Sequence, residues 1–331
     1  MKGAVHIFRF LSEAAAAGQR TALVTLTDVL GRSAREPGLH MAVCETGASL
    51  GSFSGGCAEA AIVAEAQRVI ASGEAESVRF GLGSRFIDIR LPCGGGIDLL
   101  FTPDPPADVI AAAARSLAAR TPVTLVLSRQ GGAALSGEGQ TGWIDGHFAA
   151  HHEPDLSLVI AGHGDEIVSL TRLAAAYGAD VHALTPDEAL LERLRGEGAQ
   201  VQRLTTAADS AKIVDDPYTA IVLLFHDHDW ETALLVAALE TRAFYIGAMG
   251  SRQTHVARVE RLEQAGVSPR EIARIVAPIG SIHAVRDPDT LALSIMAQVV
   301  QIARDIAVRG SAAAPGRIAE SRSDVAHRPN L

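Results

Sequence analysis

Hydrophobic and polar positions change rhythm about halfway along the chain. In the second half, short continuous apolar runs alternate with amphipathic stretches. Leu156–Ala161 is one such run; it leads into Gly162-His163-Gly164 and a helical pattern over Asp165–Tyr177 that stops at Gly178. Further strands are expected at Val181–Leu184, Thr219–Phe225 and Ala243–Ile246. Further helices are expected at Trp230–Glu240, at Arg252–Gln264 and from Asp287-Pro288 to about Val308. Thr185-Pro186-Asp187-Glu188 and Ser268-Pro269-Arg270-Glu271 both read as capping boxes with proline at the first helical position. Repeated βα units of this length predict a parallel sheet covered by helices.

The first half has a different pattern. Thr21–Thr27 reads as a strand, and 40–44 with 48–53 as a hairpin around Glu45-Thr46-Gly47. A helix is expected from about Gly55 to Ser72, strands near 76–81, 86–91 and 97–101, a helix at about 107–118, and a strand over Pro122–Ser128. Residues 104–155 have the softest composition, with Asp104-Pro105-Pro106, Gly131-Gly132 and the glycines of 137–142. The expected fold class is therefore α/β, an N-terminal α+β domain followed by a Rossmann-like parallel-sheet domain. The α+β domain and a linker are expected over 1–150 and the parallel sheet over 151–308, while 309–331 lacks periodicity and is expected to be a disordered tail.

Composition narrows the chemistry. The chain has 331 residues and a net charge of −9, and only Lys2 and Lys212 are lysines among its 29 basic residues. Amine chemistry is nearly excluded, and no basic run would track a nucleic acid. His6, Arg9 and Glu13 interrupt the apolar start, so no signal peptide is expected, and no run of about 18 apolar residues predicts a membrane span. Cys44, Cys57 and Cys93 are too few and too widely spaced for a disulfide framework, which makes a reducing cytoplasm the expected compartment.

Chemistry-bearing residues gather at glycine turns. In Gly51–Glu59, Ser54 is a natural N-cap, which would put Cys57 at the third helical position. Free amides there, with Gly55 and Gly56 allowing close approach, would favour an anion and lower a thiol pKa. Cys93 precedes Gly94-Gly95-Gly96, and two glycine-flanked thiols suit a soft metal or sulfur transfer. Cys44 sits within a strand and reads as packing. Gly162-His163-Gly164 begins like a dinucleotide turn, but Ile167 replaces the third glycine, Asp165 and Glu166 stand at the helix start, and Thr185 ends the next strand where an acid is usual. A nicotinamide site is thus disfavoured. His226 and His228, with Asp227 and Asp229, stand at a strand end, where they would ligate a metal or cap the next helix. Gly247, Gly250, Ser251 and Arg252 offer amides, a hydroxyl and a guanidinium suited to phosphate. Ala277–His283 is a weaker glycine loop of the same type.

Taken together, GSFSGGCAE at 51–59, Cys93-Gly94-Gly95, TAIVLLFHDHD at 219–229, YIGAMGSR at 245–252 and Pro278-Ile279-Gly280 resemble the XdhC/CoxI family over about 20–308. These are accessory factors of xanthine dehydrogenase and related molybdenum hydroxylases. The resemblance implies binding of molybdenum cofactor (molybdopterin or a dinucleotide form), support for its sulfuration with a cysteine desulfurase, and delivery to the apo-hydroxylase. By position it implies that Cys57 and Cys93 act on the molybdenum end, Cys57 as a molybdenum ligand, and that Ser54, Gly55, Gly56, Gly162, Gly164, His226, His228, Gly247, Gly250, Ser251 and Arg252 contact the cofactor. Ser281–Arg286 departs from the family pattern, with His283 and Val285 in place of smaller residues. A homodimer is expected from the base rate of the class. The alternative is an NAD(P)-dependent oxidoreductase with a degenerate dinucleotide site.

Overall fold

The computed structural model describes residues 3–31, 35–56, 58–86, 91, 94–137, 139–206, 213–225, 230–282 and 285–312. The chain opens with α1 (Ala4–Ala16), β1 (Thr21–Leu30), β2 (His40–Cys44), β3 (Ser49–Leu50), α2 (Glu59–Ser72), β4 (Glu76–Gly81), β5 (Gly96–Pro103) and α3 (Ala107–Ala118). Its strands form an antiparallel sheet in the order β3-β2-β1-β5-β4. Period-two alternation assigns the two faces of β1. Ala22, Val24 and Leu26 meet Ile62, Ala66 and Val69 of α2, while Leu23 meets Phe8, Leu11 and Ile110 of α1 and α3.

The soft-composition stretch is not a loose connection. It holds β6 (Val123–Ser128), β7 (Ala133–Ser136), β8 (Gly142–Ile144) and β9 (His147–His152), an antiparallel sheet in the order β7-β6-β9-β8. Leu125 and Leu127 enter the same cluster as α1 and α3. β6 forms where a strand was expected, while periodicity missed β7, β8 and β9 because their apolar positions are mostly alanine and glycine.

The second half runs β10 (Ser157–Gly162), α4 (Gly164–Tyr177), β11 (Asp180–Thr185), α5 (Leu191–Gly196), β12 (Gln200–Arg203), β13 (Thr219–Leu224), α6 (Glu231–Leu239), β14 (Tyr245–Ala248), α7 (Arg252–Gln264), α8 (Pro269–Ile272), β15 (Ile275–Val276) and α9 (Pro288–Ala312). The sheet is parallel in the order β12-β11-β10-β13-β14-β15. Counted within this half the order is 3-2-1-4-5-6, the doubly wound arrangement of dinucleotide-binding folds. Its central strands β10 and β13 are wholly buried, which explains their continuous apolar runs. Clusters on both faces cover the sheet, one under α4 and α9 and the other under α6 and α7.

Several element ends differ from expectation. The box at Ser268 forms, with Glu271 reciprocating. The one expected at Thr185 does not: Thr185 ends β11, and Asp187 caps a short 3-10 turn by accepting from the Ala189 amide at 2.9 Å. The final helix continues through Ala312; the rest of the expected tail, 313–331, lies outside the described residues. No helix among the described residues is long and apolar enough to cross a membrane.

Candidate functional site

The serine–glycine loop before α2 is built around Glu59. One carboxylate oxygen accepts from Ser52 Oγ (2.6 Å) and from the amides of Phe53 (3.1 Å) and Ser54 (2.8 Å). The other accepts from the amides of Gly56 (2.7 Å) and Ala58 (3.3 Å) and from Ser54 Oγ. The Gly55 amide donates to Ser52 Oγ at 3.1 Å. Burial works against the charge, but these donors outweigh it and hold the Glu59 carboxyl far below its usual range. The expectation of free amides at a helix starting near Ser54 is thereby corrected. The helix begins at Glu59 with Ala58 as N-cap, and the amides of Phe53, Ser54, Gly56 and Ala58 serve the protein's own carboxylate. Cys57 lies outside the described residues, as do Cys93, His226, Asp227, His228 and Asp229.

What flanks the two cysteines enters one core. Phe53 and Ala58 on one side and Leu91 on the other pack in the cluster beneath α2. Close approach of β4 and β5 requires glycine at two positions here: a Cβ on Gly81 would stand 2.4 Å from the Gly95 carbonyl oxygen, and one on Gly96 would stand 2.7 Å from that of Leu82. Arg85 braces this end by reaching Glu65 and Glu76, which Arg68 also engages. Cys44 is buried in β2, and burial, then the neighbouring Glu45, pushes its thiol up, as suits a packing residue.

A separate cleft of about 570 Å³ opens at the carboxyl end of the parallel sheet. It is lined by Gly250, Ser251 and Arg252 at the start of α7, Glu166 of α4, Ile279, Gly280 and Ile282 of the loop after β15, and Arg286 to Pro288 at the start of α9. First turns of three long helices thus face one space, with two guanidiniums at its wall. Ser251 caps α7 through a reciprocal box with Thr254. Gln298 of α9 clasps the loop: its amide oxygen accepts from the Gly280 amide (2.8 Å) and the Tyr245 hydroxyl (2.7 Å). Beneath the α7 loop, the buried Arg258 donates to Glu231 (2.7 Å) and to the Met249 carbonyl (2.6 Å).

Of the expected contacts, the cleft gathers Gly250, Ser251 and Arg252. Gly162 and Gly247 stand where the backbone is closely packed. A Cβ on Gly162 would meet Leu224 at 2.8 Å, and one on Gly247 would meet Tyr245 at 2.5 Å and Ile279 at 2.8 Å. Ser54, Gly55 and Gly56 belong to the first sheet's loop, apart from the parallel sheet's cleft. Arg286 was missed, although it ends the stretch that departs from the family pattern. Among the described residues no group of three or more His, Cys, Asp or Glu side chains could hold a metal ion. The donors at the cleft suit an anionic, phosphate-bearing ligand.

Fold and cleft together define a protein whose doubly wound half carries a cleft with two guanidiniums at its wall and whose α+β half carries a carboxylate-braced loop. The XdhC and CoxI family profile matches residues 14–81, and the XdhC Rossmann domain profile matches 158–299. The chain is 38% identical over 298 residues to the molybdenum cofactor insertion chaperone PaoD of Escherichia coli K12, spanning 89% of this chain and 87% of that protein. It also resembles the crystal structure of a xanthine dehydrogenase from Bacillus halodurans, with a TM-score of 0.76 at 24% identity over 95% of this chain and 98% of that one; this likeness bears on the fold. The chain belongs to the XdhC and CoxI family.

Proposed function

We propose that this protein binds molybdenum cofactor, protects it, supports its sulfuration and delivers it to an apo molybdenum hydroxylase of the xanthine dehydrogenase type. Family membership and the identity to a molybdenum cofactor insertion chaperone support the reading. The observation that carries it is the cleft, where Arg252, Arg286 and the first turns of α7 and α9 converge. The cofactor's phosphate, as molybdopterin or in a dinucleotide form, meets these groups. Cys57 and Cys93 supply soft thiolates for molybdenum or for sulfur relay. A cysteine desulfurase and the apo-hydroxylase are the partners, and the working form is a cytoplasmic homodimer.

The test is the molybdenum and pterin content of the protein purified without oxygen from a host that makes the cofactor. Both are expected in the wild type. Arg252→Ala and Arg286→Ala should each lower retention about tenfold, as loss of a charge-assisted phosphate contact would. Cys57→Ala should reduce activation of the client. Wild-type protein carrying neither molybdenum nor pterin would overturn the reading.

A further inference from the structure

The turn after β10 is where a doubly wound sheet seats a dinucleotide's diphosphate, at the first amides of the following helix. Here that turn already holds a negative charge. Gly164 takes φ +81°, and a Cβ built on it would lie 2.7 Å from Glu166 Oε2. The Glu166 carboxylate therefore folds back over the first residue of its own helix, where a diphosphate oxygen would approach. The position suits it, since the helix dipole favours an anion there. Asp165, also in that turn, is engaged by Arg193 at 2.8 Å.

The surroundings agree with this use of the turn. Ile167, fully buried, fills the position where a third glycine would let helix and strand close together. Thr185 ends β11 where an acid would receive ribose hydroxyls, and its own hydroxyl accepts from the Asp187 amide at 3.2 Å. Glu166 and Arg252 line the same cleft, so one wall repels phosphate while the other attracts it.

We propose that Glu166 is a specificity-determining residue whose carboxylate denies the α4 turn to dinucleotide diphosphates and confines phosphate-bearing ligands to the side of Arg252 and Arg286. This rests on the proposed use of the cleft and adds to it the class of ligand the cleft rejects, nicotinamide and adenine dinucleotides. Removing the carboxylate should open the seat.

The experiment titrates full-length protein, made in a host lacking the cofactor, with ADP-ribose and with NADPH by equilibrium dialysis. Wild type is expected to bind both weakly, and E166A about tenfold more tightly, the scale of an anion at a helix N-terminus. E166Q keeps the side chain's size, so a gain there isolates the charge. Wild type binding as tightly as both variants would overturn the proposal, and so would the absence of gain in both. Molybdenum and pterin content of protein from a cofactor-competent host separates the two readings. A wild type that stays empty while the variants gain ADP-ribose refutes the proposed function alone. A loaded wild type whose variants gain nothing refutes the role of Glu166 alone.

Discussion

Glu59 concentrates the local order of the first half in a single side chain. Its replacement by Gln keeps the shape but halves the acceptor capacity and removes the charge, leaving the Gly56 amide short of a partner. Glu59→Gln should cost ~2 kcal/mol of stability in urea unfolding followed by circular dichroism, the scale of hydrogen bonds to a charged group. Two histidines set a different sensitivity. His40 Nε2 and His152 Nε2 lie 2.9 Å apart between the two antiparallel sheets, with His40 Nδ1 on Thr25 and Phe8 against both rings. Burial, then the neighbouring His151, lowers His152 to about 4; burial, then His152, lowers His40 well below its ordinary value. The folded state thus binds fewer protons than the unfolded chain, whose histidines titrate near 6.5. Stability is complete above that value and is lost as pH falls from about 6.5 toward 4. Thermal midpoints should decline over that window, and His152→Gln should flatten the decline. Neither carboxylate nor histidine pair was legible in the sequence: Glu59 stood inside a recognised motif without a role, and His40 meets His152 only through long-range packing.

Elements were more legible than their ends. The helix at 107–118 forms as α3 at the expected residues, because its alanine-rich, amphipathic run meets no competing acceptor. α2 starts four residues after Gly55 because Glu59 takes the amides a longer helix would have used. Thr185 fails as a cap because it completes β11 and pairs with Arg203 of β12. The joint between α6, α7 and the loop after β14 depends on Glu231 and Arg258, each only 2% exposed at the side chain. Periodicity gave no sign of this pair, since a buried charge breaks the pattern it reads. Arg258→Met takes the guanidinium from the buried Glu231 and should cost about 3–5 kcal/mol, whereas the double change Arg258→Met with Glu231→Gln should cost clearly less. Urea midpoints of the single and double variants check this.

For the whole molecule, Arg120 bridges the two halves. Its guanidinium donates to both oxygens of Asp216 (2.8 and 3.1 Å) and to the Asp155 carbonyl (2.6 Å). Burial opposes the charge of Asp216, but Arg120 and the Tyr218 amide keep its carboxyl below the usual range. Arg120 also takes φ +62°, a backbone state that favours glycine. Arg120→Gly relieves the backbone but strands Asp216, for a net loss of roughly 2 kcal/mol. Its thermal unfolding should broaden into two transitions in calorimetry where the parent shows one. Layer order in the parallel sheet was legible because each βα unit repeats one period. The joint was not, because it is made by a residue at the end of one helix and an acid about a hundred positions on. Arginine supplies the basic wall of the cleft, and a guanidinium keeps its proton throughout the physiological range. On the proposed function, the arginine wall's share of the hold on a phosphate-bearing cargo is therefore insensitive to acidity across that range. In the double variant Cys57→Ala, Cys93→Ala, where no thiolate reaches molybdenum, retention should stay flat between pH 7 and 9, while rising salt should weaken it. Release from that wall then has to be worked by a competitor or by movement of the walls, since no proton discharges a guanidinium there.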